Sequence, residues 1–337
     1  YLPASALTGV DGFDKDRASA ASVDTIQALK PVEAETKSLI ARAVDPTIGR
    51  AADLIEANQP AQALATLEPA LKRYPGNPDV LLIAGLAAYR ADQLRIALDY
   101  WKQSLDLAPN DALSRLYAKV LREKEKDRSG DKLYGMRFAL RYEGETLPAE
   151  TARAIVAVLD EEFNRIAAQI GCRTDERIVA IVQSREAYLR TTGAAEWSGG
   201  QYDGRIHIAL NEGSLGTETR RKLAHELVHA CLTNLGTAWP AWLQEGLAQR
   251  MSGDALSPAA REQLRKLAEA HAMPRLENLG QNWSRLSADN APVAYSLALA
   301  AAEALYDNYS SYGLRNILNN PQSLQQVTLE LDKKLGF

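Results

Sequence analysis

A chain of 337 residues is long enough for two domains, each with a core of its own. Hydrophobic residues make up 46% and charged residues 24%, the balance of a globular protein, and a net charge of −4 gives no electrostatic basis for nucleic acid or an anionic membrane as partner. No apolar run approaches the roughly 20 residues that cross a bilayer, so no membrane span is expected. A chain that opens at Tyr1 is compatible with the removal of a targeting segment, and in that case an extracytoplasmic location, periplasmic or secreted, is expected.

Residues 1–45 open with a loose YLPASALTGVDGFDKD and then take on a helical pattern, without identifiable chemistry. From 46 to 128 the chain repeats itself. Ala63, Leu67 and Pro75 recur 34 residues later as Ala97, Trp101 and Pro109, and Leu81 and Gly85 precede them at matching offsets. Small residues at such positions let paired helices approach, large ones fill the gap, and the proline ends the second helix. These spacings resemble two tetratricopeptide repeats, with Asp111–Asp127 as a capping helix. In the first repeat Ala51 stands where the packing glycine is expected, and Pro69 is expected to interrupt and bend the second helix. Stacked repeats form a concave surface suited to a protein or peptide partner.

The charged run 122–132 reads as a solvated helix end and linker, ending around Gly130. Composition then changes, and residues 132–337 are expected to form a second domain of α+β type, leaving the whole chain α+β and mostly helical. LYGMRFALRYEG (133–144) reads as one strand, 149–171 as an amphipathic helix, RIVAIVQS (177–184) as a buried strand and YDGRIHIAL (202–210) as another, with only helices after it. Cys172 and Cys231 are expected to be buried free thiols, since free cysteine behaves as a small core residue. His207, between Ile206 and Ile208, reads as a surface or sheet-face residue, and His271 as a helix-end residue.

The chemistry concentrates in LAHELVHACLTNLGTAWPAWLQEGLAQ, which holds two of the four histidines. Residues i and i+4 of a helix share a face, about 6 Å of rise apart, so His225 and His229 can offer imidazoles to one ion. Glu226 is rotated about 100° from His225, which sets its carboxylate beside that ion, where a base can take a proton from water. Thr217 is a plausible N-cap and Gly236 a C-terminal turn residue. A zinc site needs a third protein ligand and an open position. No histidine follows at the six-residue offset, whereas Glu245 falls sixteen residues past His229, on a helix opened by Pro240 that a short loop can fold back.

HELVH together with W-L-Q-E-G-L-A resembles the gluzincin metallopeptidases, more narrowly the bacterial peptidase MA-like domains. The upstream FALRYEG, IGCRTDERIVAIV and Trp197–Ile206 segments are similar as well, so the resemblance spans roughly residues 133–310. It implies a zincin-like α+β fold, Zn2+ held by His225, His229 and Glu245, and Glu226 as catalytic base. It further implies Tyr295, at a helix start fifty residues after Glu245, as an oxyanion donor, although a packing tyrosine would occupy the same place. The strand before the metal helix, Arg205–Leu210, would be an edge strand that pairs with extended substrate. One departure stands out: Gln249 occupies a position that is often acidic in that family and orients a histidine.

Two functions follow from these features. In the first, the protein hydrolyses peptide bonds of a peptide or protein substrate, with the repeats binding substrate or a partner protein. In the second, the repeats carry the function and the peptidase-like domain is an inactive scaffold. Retention of Glu226 favours the first.

Overall fold

The computed structural model describes residue 32 and residues 46–126, 130–144, 147–192, 199–210, 215–235, 239–279, 283 and 291–335. The expected helical segment at 1–45 lies outside the described residues except for Val32, which is helical and fully buried in the N-terminal core. The described chain is mostly helical with one small mixed sheet, the α+β class read from the sequence.

Five helices come first: α1 (Pro46–Glu56), α2 (Pro60–Arg73), α3 (Pro78–Arg90), α4 (Leu94–Leu107) and α5 (Asp111–Lys126). Three begin at a proline, where the missing N–H costs nothing. Asn77 caps α3 by accepting from the amides of Asp79 and Val80. Packing follows the periodic small and large residues. The Trp101 indole lies directly on Gly85, where an added Cβ would come within 2.2 Å of it, and its Nε1 donates to the Leu82 carbonyl at 3.1 Å. Pro69 does not interrupt α2, which continues to Arg73. Pro69 is exposed, as is Ala65 four residues before it, so the carbonyl that loses its helical partner faces water.

The second unit is built on five strands: β1 (Gly130–Tyr134), β2 (Phe138–Glu143), β3 (Ile178–Ser184), β4 (Gly200–Tyr202) and β5 (Ile206–Leu210), in the spatial order β1-β2-β3-β5-β4. The outer pairs β1/β2 and β4/β5 are antiparallel, and β2/β3 and β3/β5 are parallel. Helices α6 (Ala149–Ile170) and α7 (Arg185–Thr192) connect them, and α8 (Thr217–Asn234), α9 (Ala241–Ser252), α10 (Pro258–Glu269), α11 (Ala291–Asn319) and α12 (Leu324–Leu335) follow.

Several expectations are corrected. Residues 133–144 are a hairpin rather than one strand, because the chain turns at Gly135, whose N–H donates to the Phe138 carbonyl. Residues 202–210 likewise split around Asp203–Gly204, with Gly204 at φ +94°. The strand before the metal helix is therefore interior, paired on both sides, and β4 is the edge. Helix α7 was not foreseen. The charged run from 122 is only partly solvated: Glu123 is buried, as is Lys119 one turn earlier. Cys172 and Cys231 form a disulfide that ties the segment just after α6 to the last turn of α8, so they are not free thiols. Gly216, not Thr217, precedes the first turn of α8, and Gly236 lies outside the described residues.

Strand alternation gives the sheet two different faces. Phe138, Leu140, Ile178, Ala180, Val182, Ile206, Ile208 and Leu210 join α6, α8, α9 and α11 in the larger hydrophobic core. The opposite face carries Arg141, Ile181, His207 and Gln201 in one row across β2, β3, β5 and β4. Against this face lie Tyr89, Asp92 and Glu123 of the helical unit. The Arg205 guanidinium is fully buried, donates to both Glu123 oxygens at 2.8 and 3.1 Å and stacks 3.9 Å from the Tyr89 ring. Arg141 donates to Glu123 at 3.2 Å and also to Asp92, and Tyr89 Oη donates to Asp203 at 2.7 Å. Opposite charges hold each other ionised despite burial. The Glu123 carboxyl titrates at about 2 in spite of desolvation because Arg205 and Arg141 face it, and Asp203 is held well below its ordinary value by His207 and Arg205.

Candidate metal centre

Helix α8 carries HELVH and is buried along that stretch, from Leu223 to Leu232. Leu223, Leu227 and Val228 join the core under the sheet, which fixes the rotation of the helix and turns the 225/229 face toward α9. The connection to α9 is stapled by Trp239, whose indole donates to the Leu232 carbonyl at 3.0 Å while its own carbonyl accepts from Gln244 Nε2 at 2.8 Å. Pro240 stands at the N-cap of α9. Gly246, next to Glu245, allows close packing of α11: a Cβ there would fall 2.2 Å from the Ala298 carbonyl oxygen.

This packing brings His225, His229 and Glu245 together. One ligand atom from each lies within 4.8 Å of the others, all three residues are buried, and the group could hold a metal ion. His225 Nε2 is 3.5 Å from one Glu245 oxygen and His229 Nε2 is 3.8 Å from the other. Both separations exceed the 2.7–3.2 Å of a good N–H···O bond. The two rings stand 5.1 Å apart, centroid to centroid.

Electrostatics turn the same groups into acceptors. Burial pushes the His225 imidazole down to about 3. Burial also lowers His229, against the opposing pull of the Glu245 carboxylate, to about 4. Both rings are therefore neutral at ordinary pH, with lone pairs available for a cation. Burial, and then the negative charge of Glu245, raises the Glu226 carboxyl well above its usual range. The Glu245 carboxylate between two neutral imidazoles, with the Glu226 carboxyl beside it, is a donor set that would suit a divalent cation.

Glu226 sits beside the triad, under the edge strand. A Cβ added at Gly200 would lie 2.7 Å from Glu226 Oε1, and one at Gly199 would lie 2.5 Å from Lys222 Cε. The two glycines let β4 pass directly over side chains one turn apart on α8. This contact was not anticipated, although a Gly-Gly pair entering a strand is a sign of close backbone approach.

Tyr295 lies in the second turn of α11, buried, with its ring edge-on to Trp283 at 4.8 Å. Gln249 donates its amide to the carbonyls of Glu245 and Tyr295, so it ties α9 to the start of α11. His207 is a buried sheet-face residue whose Nε2 meets Asp203 at 3.2 Å, and His271 is exposed just past α10. Compared with protein-family models, curated proteins and solved structures, the chain matches none.

Proposed function

We propose that the protein is a zinc-dependent peptidase, with His225, His229 and Glu245 as the ligands and Glu226 as the catalytic base. The observation that carries this reading is the buried convergence of the three donors from two helices. The ligand atoms of a tetrahedral zinc site stand about 3.4 Å apart; here one atom from each donor lies within 4.8 Å of the others, with the two imidazoles 3.5 and 3.8 Å from different oxygens of Glu245. A bound zinc would lower the pKa of a water toward neutrality and polarise a carbonyl. Glu226, beside the triad, would accept the proton of the attacking water and return it to the departing amine, a contribution typically worth 10²–10⁴-fold.

The zincin-like reading of the second unit and the tetratricopeptide reading of α1–α4 complete the proposal. The Cys172–Cys231 disulfide supports an extracytoplasmic setting, since structural disulfides persist in oxidising compartments. Tyr295 is the candidate oxyanion donor. Tyr295→Phe should lower kcat about 10²-fold with little change in KM if its hydroxyl serves the transition state, and should leave kcat unaltered if the ring only packs.

The test of the function is Glu226→Gln beside wild type, assayed on a peptide library and analysed for metal. Retained metal with hydrolysis reduced about 10³-fold supports the peptidase. Metal in both forms with no hydrolysis by either would leave a metal-bearing scaffold whose helical unit does the work.

A further inference from the structure

Strand β4 spans three residues, Gly200–Tyr202, at the sheet edge, and its ladder partner is β5. Such a strand has little rigidity of its own. Its central side chain does not hold it: Gln201 is fully buried, and neither of its amide atoms has a hydrogen-bond partner among the described residues. Yet its backbone passes close to α8: a Cβ on Gly199 or Gly200 would lie 2.5 or 2.7 Å from the Lys222 or Glu226 side chain, which would have to shift.

The anchor is the turn that follows. Asp203 accepts from Tyr89 Oη at 2.7 Å and from the Arg205 amide at 3.2 Å. Arg205 is clamped by both oxygens of Glu123 and by the face of Tyr89. The Arg90 side chain covers Gly204, where an added Cβ would meet it at 2.9–3.0 Å, and Arg90 itself is tied to the Ile55 carbonyl at 2.7 Å. Every one of these partners outside the turn belongs to α1, α3 or α5. One end of the β4–β5 hairpin is thus gripped by the helical unit, and the other lies on the candidate catalytic base.

We propose that the helical unit is a built-in positioning element for the hydrolytic site: Tyr89 and Glu123, acting through Asp203 and Arg205, hold β4 against Glu226. These four are positioning residues, and the helical unit is needed for catalysis even when nothing else is bound to it. The inference rests on the peptidase reading for its consequence in turnover, whereas the anchor itself is measurable without turnover.

The experiment uses the full chain loaded with zinc and compares wild type with Tyr89→Phe, which removes one hydroxyl and keeps the ring. Glu123→Gln is a second, isosteric variant should the first not fold. Amide exchange at 199–208 should quicken about tenfold in the variants, with exchange at 221–230 and zinc content unchanged. On a cleaved peptide kcat should fall about tenfold with KM within twofold, since displacement of a base by a fraction of an ångström acts on the transition state. A lower Tm alone, with exchange and kcat as in wild type, overturns the proposal. So does faster exchange with full kcat, or a fall in kcat without faster exchange. If wild type binds zinc and cleaves nothing, the peptidase reading fails by itself; exchange at 199–208 then decides the anchor, faster supporting it and unchanged overturning it.

Discussion

Two buried polar clusters lie on opposite faces of one sheet, and they are solved in opposite ways. Around Arg205 each charge meets its opposite: two guanidinium groups face Glu123, and Asp203 is shared by Tyr89, His207 and Arg205. The carboxyls of Glu123 and Asp203 accordingly stay ionised in the interior. Around His225 the charges are suppressed instead, with both imidazoles driven neutral and the Glu226 carboxyl driven toward protonation. The first cluster pairs its carboxylates with the chain's own guanidinium groups and joins two units. The second brings three buried donors to one point where they could hold a cation, the arrangement of a binding site rather than a joint.

The largest break in this contrast comes from the joined cluster. Glu123→Ala would leave Arg205 and Arg141 buried without their shared carboxylate, and loss of one partner of a buried pair typically costs 3–5 kcal/mol. Urea denaturation should show that loss, together with separate unfolding of the two cores. A loss under about 1 kcal/mol would mean that the cluster is solvated and the join is weak.

A smaller effect sharpens the comparison, because one charge in the joined region lacks a hydrogen bond. Lys119 is buried, its Nζ has no hydrogen-bond partner among the described residues, and burial pushes its ammonium down to about 8. An unfolded lysine titrates near 10.4, so between about 8 and 10 the unfolded chain holds more protons, and wild-type stability rises with pH across that window. Below about 8 the cost of the buried charge is carried in full. Lys119→Met should therefore be more stable than wild type by about 2 kcal/mol at neutral pH, the difference shrinking toward pH 10. A difference independent of pH would show that Lys119 is not the group responsible.

The two clusters also differ in how far the sequence revealed them. His225 and His229 are four residues apart on one helix, so local periodicity put them on one face, and Glu245, one short connection later, joined them through the family resemblance. Glu123 and Arg205 are 82 residues apart, and by composition each looked like a solvated surface charge. Nothing local distinguishes a glutamate that faces water from one that faces two arginines across a domain junction. Cys172 and Cys231 show the same limit: 59 residues separate them, and only the packing of α6 on α8 makes them partners. The missed turns at Gly135 and Asp203–Gly204 interrupt runs whose alternation suited a continuous strand. Gly246 is a further case, since what it makes room for is the backbone of α11, fifty-two residues downstream at Ala298.

The claim on which the rest depends is that the three acceptors on α8 and α9 bind one divalent cation. Titration of zinc into chelator-stripped protein, followed by calorimetry, tests it most directly when wild type is set beside His229→Ala and Glu245→Ala. About one zinc per chain is predicted for wild type, with affinity reduced at least about 100-fold in each variant. Binding that survives Glu245→Ala undiminished, or no binding by wild type, would contradict the account.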